Sequence, residues 1–185
     1  NILIATPVDV VRRLFTIWRT DGFFSVIAFT FTHISIGYLS AAAAGTRTAF
    51  AAARFKLIER LIYPFVVCFK TVPVASMVVI LLIWVSASNL SVIISFLVVF
   101  PVIYNNILSG LKACDRGLAE MAEVFGIGYF RKLRYITLPQ LKSYIISALS
   151  VTAGMAWKAG VAAEVIGTPP LSVGKMIYQS KIWLN

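Results

Sequence analysis

Residues 120–139 read EMAEVFGIGYFRKLRYITLP, the pattern of two short helices joined at a corner. Just upstream, Asp115 carries the kind of side chain that caps a helix, here one whose first turn is 116–118. Helix-forming residues run from Leu118 to Phe125. Gly126 stops them, because glycine accepts the left-handed backbone at a helix end. Ile127 and Gly128 make the corner. The second helix is amphipathic: Tyr129, Phe130, Leu133 and Ile136 are apolar, and Arg131, Lys132 and Arg134 are basic. Pro139 closes it, disfavouring helix at Leu138 and suiting the first turn of the next helix. A connection of this length with structure of its own is usually functional. Two readings stay open from these residues alone. One is a segment that hands force to a water-soluble partner; the other is a helix pair that lies on a membrane.

The sequence on either side is membrane-like. The chain has 185 residues, of which 59% are apolar, and its mean hydropathy is +0.88. Soluble domains run about 45–50% apolar. Four runs approach the roughly 20 residues that a span needs. They are 23–45, 61–85, 90–111 and 143–165. Pro64 and Pro73 interrupt the second run and Pro101 the third, as neighbouring helices allow in a bundle. Small residues such as Ala41–Ala44 and those from Ala153 to Ala163 would let helices approach closely. The expected fold is all-α, a polytopic transmembrane bundle with four full spans in one domain over 1–185.

Charge sets the expected orientation. Segments 46–60 and 112–142 carry ten Lys and Arg between them, and the outer ends carry five. That bias places 46–60 and 112–142 as cytoplasmic loops. The net charge of +10 sits between apolar runs, not on one basic face with interleaved aromatics, so it does not indicate nucleic-acid binding. Both ends of the chain then lie outside, and spans before and after it are expected. The first residue is Asn1, and no signal peptide is visible. Residues 1–22 read as an interfacial amphipathic helix on Val8, Val11, Leu14, Phe15 and Trp18. Cys68 and Cys114 are expected on different sides of the hydrocarbon and unpaired.

No catalytic constellation or metal-ligand spacing is present. The stretch 167–176, GTPPLSVGKM, is no phosphate loop: its glycines are too far apart and Met176 holds the Ser/Thr position. Charge within the apolar runs is confined to Lys70, Lys158 and Glu164. Such groups are functional candidates by default. They fit a path for an anion, and equally structural pairing or a lysine reaching to the interface. Lys158 and Glu164 do not face each other on one helix. His33 reads as a hydrogen-bonding group between helices and not a proton relay, because no acid stands at helical spacing, and Asn105 and Asn106 read as bonding a neighbouring helix in preference to lining a polar path. Trp84, Trp157 and Trp183 read as interface anchors.

The opening stretch resembles the cytoplasmic coupling motif of ABC-transporter permeases. That pattern is Glu-Ala-Ala, three residues, Gly, nine residues, Ile, any residue, Leu-Pro. Glu120, Ala122, Gly126, Ile136, Leu138 and Pro139 stand at those positions, and Met121 replaces the first Ala. Residues 7–60, 73–84 (PVASMVVILLIW) and 156–167 (AWKAGVAAEVIG) are similar to the nitrate/sulfonate/taurine-type importer permeases. The resemblance implies a type I importer permease, normally of six spans and working as a dimer. Its partners would be two ABC ATPase subunits, which hold the ATP and magnesium, and an extracytoplasmic substrate-binding protein. This chain would bind no cofactor and catalyse nothing. Its helix around 120–125 would dock on the ATPase, and its substrate would be a small anion such as nitrate, a sulfonate or a related organic compound. The competing reading is an ATPase-independent secondary transporter or channel, which inverted repeats would favour; none is visible.

Overall fold

The computed structural model describes residues 11, 15–17 and 22–183. Helix α1 spans Phe23–Arg54, α2 Lys56–Thr71, α3 Val74–Leu81 and α4 Ala87–Ala113. After these come α5, Arg116–Val124, and α6, Tyr129–Lys132. A wider turn over Leu133–Thr137 leads into α7, Leu138–Gly167, and α8 covers Val173–Trp183. Among the described residues there is no strand. The all-α expectation therefore holds. Val11 and 15–17 are helical, and most of the expected interfacial helix lies outside the described residues.

Among the described residues, three helices are long and apolar enough to cross a membrane: Phe23–Arg54, Ala87–Ala113 and the continuous Tyr129–Gly167. The fourth expected span arrives as two helices, α2 and α3, and makes one span only if the broken pair is counted together. The break is at Pro73. A proline disfavours helix at the residue before it, and Val72 is extended at φ −74°, ψ 128°. Pro64 and Pro101 were also expected to interrupt their runs, yet both lie inside continuous helices. Each removes only one ladder bond, and Pro101 is fully buried against its surroundings. The segment 46–60 is likewise no loop. Alpha1 runs on to Arg54 and α2 starts at Lys56, so Phe55 alone is non-helical. Thr46 and Thr48 bond back to Ala42 O and Ala44 O at 2.7 and 2.8 Å, which keeps their hydroxyls satisfied within the helix.

Contacts divide the chain into two compact units. One comprises residues up to Gly37, Pro73–Ser95 and the chain from Trp157 onward; the other comprises Tyr38–Val72 and Phe96–Ala156. In the second unit the buried face of α1 is Ala41, Gly45, Ala49 and Ala52, at helical spacing. These small residues let α1 approach α4 closely, where Val99, Ile103 and Ile107 are buried. Tyr38 Oη donates to Leu149 O at 3.0 Å, tying α1 to α7 there. Outside, Leu39, Phe55, Leu61 and Phe65 are exposed, the arrangement of helices that face lipid.

The first unit is closed by a carboxylate. Glu164, on α7, is wholly buried. Thr30 Oγ1 donates to its Oε2 at 2.8 Å, and Gly174 N–H donates to the same oxygen at 3.3 Å. Val173 N–H donates to Thr30 Oγ1 at 3.0 Å, and Lys175 N–H to Ser172 Oγ at 3.1 Å. Met176 N–H reaches Ser172 O at 3.2 Å. The N–H groups that a helix start leaves without partners are thus all met for α8. The approach is close enough to require glycine: a Cβ on Gly174 would lie 2.3 Å from Glu164 Cβ. The chain turns between the two helices through Thr168 and Leu171, both in the left-handed region at φ 45° and 61°.

Replacing Glu164 by Ala leaves the Thr30 hydroxyl and the Gly174 N–H buried without an acceptor. The expected loss is about 2–4 kcal/mol, read as a lowered unfolding midpoint of the full-length protein in detergent. Glu164→Gln keeps an acceptor and should lose less. An unchanged midpoint in the alanine variant would mean that other contacts hold α8.

Candidate functional site

The segment from Asp115 to Gln140 is built by local chemistry. Asp115 is extended at φ −62°, ψ 118°, and its carboxylate accepts from Gly117 N–H at 2.7 Å. That is an N-cap, and α5 begins at Arg116 as the sequence predicts. At the other end Gly126 takes φ +64°. Ile127 N–H donates to Ala122 O at 2.8 Å and Gly126 N–H to Glu123 O at 3.0 Å. This nested pair is the Schellman closure, which satisfies two carbonyls that the helix end would otherwise leave open. The motif spacing thereby acquires a physical reason. Ala122 is wholly buried and supplies the carbonyl for the closure, and Gly126 supplies the left-handed backbone four residues later.

Two side-chain links stitch the corner. Lys132 Nζ lies 2.8 Å from Glu123 Oε1, joining α6 to α5. The lysine holds the Glu123 carboxyl below its usual range, through the hydrogen bond and then its charge. Asp115 N–H donates to Gln140 Oε1 at 2.8 Å, and Gln140 Nε2 donates to Ile136 O at 3.1 Å. Gln140 therefore fastens the start of α5 to the start of α7. Neither link is legible from helical spacing: Glu123 and Lys132 meet only because Gly126 turns the chain, and Gln140 reaches back across the whole segment.

The expected end at Pro139 is corrected. Helix does not stop at Leu138; it continues through the wide turn into α7, so Tyr129–Gly167 is one 39-residue helix. Within the turn Leu138 N–H donates to Leu133 O, five residues back. An α-helical ladder would direct the ring of Pro139 at the Tyr135 carbonyl and leave that carbonyl without a donor. The widened turn relieves the clash without ending the helix.

Of the motif residues, Glu120, Leu138 and Pro139 are exposed and Ile136 is half-buried. Met121, the departure from the pattern, is also exposed. Around the corner Val124, Phe125, Tyr129 and Phe130 stand 85%, 75%, 70% and 83% exposed. The rings of Tyr129 and Phe130 meet edge to face at 5.8 Å. Glu120, Glu123, Arg131 and Arg134 are exposed among them.

The candidates in the apolar runs separate. Lys70 and Lys158 are exposed, whereas Glu164 is bonded and buried as described. His33 bonds through Nδ1 to Phe29 O of its own helix at 2.9 Å and stacks on the Phe29 ring at 4.0 Å. Asn106 donates to Val102 O at 2.9 Å. For both, the expected bond between helices is instead a bond to the preceding turn, the nearest carbonyl on offer. A cavity of about 740 Å³ opens where α1 ends, α2 begins and α4 ends. Lys56, Arg60 and Lys112 line it, and Lys112 Nζ lies 2.5 Å from Glu59 Oε1. Cys114 also lines it, and burial pushes that thiol up. Sequence reasoning counted these cations as an orientation signal and did not group them.

The comparisons with known proteins agree with this architecture. Residues 41–185 match the model of a family described as the binding-protein-dependent transport system inner membrane component. The chain belongs to that family. It is 24% identical over 181 residues to the putative aliphatic sulfonates transport permease protein SsuC of Bacillus subtilis, covering 97% of this chain and 65% of that protein. It is 23% identical over 172 residues to the nitrate import permease protein NrtB of Synechococcus elongatus, covering 86% of this chain and 61% of that one. The chain thus spans less than two thirds of the relatives it matches. A solved structure, the crystal structure of an amino acid ABC transporter with histidines, has the same fold at TM-score 0.64 and 19% identity. That match covers 98% of this chain and 86% of the other. In this family member the 120–139 stretch is thus built on a capped helix, a Schellman corner and a wide turn.

Among the described residues, no atom beyond its chain neighbours lies within 4 Å of a Cβ built on Gly126, so only its backbone conformation resists substitution. A left-handed L residue costs roughly 1–2 kcal/mol, more for a β-branched one and less for Asn. Hydrogen exchange at the 126 and 127 amides should stay protected in Gly126→Asn and lose protection in Gly126→Val. Equal protection in both would show that the corner does not depend on the Schellman geometry.

Proposed function

We propose that this chain is the permease subunit of an ATP-driven importer, and that the 116–139 segment couples it to a separate ABC ATPase. The observation that carries the reading is the corner itself. Val124, Phe125, Tyr129 and Phe130 stand exposed among Glu120, Glu123, Arg131 and Arg134. Charges at that density resist burial in hydrocarbon, and an apolar patch rimmed by charge suits a protein partner. The motif residues Glu120, Ala122, Gly126, Ile136, Leu138 and Pro139 build and flank that patch. ATP and magnesium sit on the partner, a second permease copy completes the path, and an extracytoplasmic protein delivers the substrate. Segments 46–60 and 112–142 lie on the ATPase side.

The substrate is a small anion, of the nitrate or sulfonate class. Two relatives bear the names of a sulfonate and a nitrate permease. Lys70 and Lys158 are exposed within the apolar runs, and the cavity lined by Lys56, Arg60 and the Glu59–Lys112 pair gives an anion a net basic environment at the other end of α2. Glu164 contributes to the path by holding α8 in place.

Purification of the full-length protein from membranes should bring an ABC ATPase with it, and Glu120→Arg should release that ATPase while leaving membrane insertion intact. Equal retention in the mutant overturns the coupling assignment. An ATPase absent from both samples selects an ATPase-independent secondary transporter or channel instead. In proteoliposomes, Lys158→Ala should reduce uptake of an anionic substrate and spare ATPase assembly; unaltered uptake removes Lys158 from the path.

A further inference from the structure

The wide turn over Leu133–Thr137 sits inside a closed loop of links. At one end Gln140, the residue after Pro139, holds Asp115 N–H and Ile136 O. At the other, Lys132, the residue before the turn, holds Glu123. Between Asp115 and Glu123 runs α5. The turn is therefore the only stretch of that loop whose backbone departs from α-helix, corner or cap. A turn closed from residue i to i+5 takes up about one residue more than an α-helical turn. Each residue of an α-helix rotates the chain by about 100°. If 133–137 became α-helical with Gln140 fixed, Lys132 would swing by about that angle and could not reach Glu123.

We infer that this wide turn, imposed by Pro139, is a register device that sets the rotational phase of α5 against α7. It deepens the coupling role proposed above and rests on it. The extra residue lets a helix pass through a proline without a break, so displacement of α5 is delivered to α7 as rigid rotation or translation. A loop in the same place would absorb it. Pro139 acts here as a positioning residue: it fixes the turn, and through the turn the face of α5 that is presented outward.

The test is a compensation experiment on the full transporter, assembled with its ATPase and binding protein. Tyr135 lies in the turn with its side chain exposed, so its deletion removes little packing. Deleting it alone drives the Pro139 ring against the helix carbonyl four residues back and should lower substrate-stimulated ATP hydrolysis by about tenfold, the scale of a lost coupling. Deleting it in the Pro139→Ala background gives a continuous α-helix with the original phase, and stimulation should return. A cysteine pair, Glu123→Cys with Lys132→Cys, reads the geometry directly: bridging by a short bifunctional maleimide, which replaces the reach of the two longer side chains, should be present in the otherwise unaltered chain, lost on the deletion and regained in the compensated form. A compensated form no better than the deletion in both readouts overturns the register device. Absence of stimulated hydrolysis in the unaltered transporter instead overturns the coupling reading beneath it, and the cross-linking arm then still decides whether the turn sets phase.

Discussion

A helix end leaves backbone N–H or C=O groups without partners in the ladder, and each must find another. Three interruptions of helix among the described residues are shaped by that constraint. At the end of α5 the open carbonyls of Ala122 and Glu123 are taken by the N–H groups of Ile127 and Gly126. At Pro139 the ladder widens and does not stop. At the start of α8 the open N–H groups are met by Thr30, Glu164 and Ser172. Three different sequence devices answer one requirement: a glycine, a proline and a buried acid.

The three devices differ in what they fix. The Schellman corner depends on backbone conformation alone, since nothing crowds Gly126. The Glu164 cluster depends on approach, because Gly174 must come within contact of the Glu164 backbone and Cβ. The wide turn depends on covalent geometry, the ring and missing N–H of Pro139. Conformation can be changed by a different residue, approach only by repacking, and ring geometry hardly at all. It is consistent with the proposed coupling role that the least adjustable device lies where the amphipathic corner meets a long span.

The parts of this architecture that were legible in the sequence are those set by local rules. Hydropathy located the apolar runs, Asp115 announced the start of α5, and Gly126 its end. What was not legible follows from competition between local rules and packing. Pro64, Pro73 and Pro101 carry the same local preference, but only at Pro73 does the preceding residue leave the helix. His33 and Asn106 have side chains that suit bonds between helices, and both turned back to a carbonyl of their own helix. Basic residues at 46–60 signalled a loop, although charge reports a side of the membrane and not a backbone conformation. Alanine and threonine in the same stretch carried α1 on to Arg54.

Charge inside the apolar runs does two kinds of work here. A buried carboxylate must find donors or shed its charge, and Glu164 has found Thr30 and Gly174, which makes it part of the frame. Lys70 and Lys158 have exposed side chains, and a lysine can carry its ammonium some distance along its flexible stem. An acid locked between helices cannot follow a passing ion, whereas a lysine on an open face can. Under the proposed function, the lysines are thus the better placed of the three to meet an anion. The acid's contribution is to tie α7, which bears Lys158, to α1 and α8.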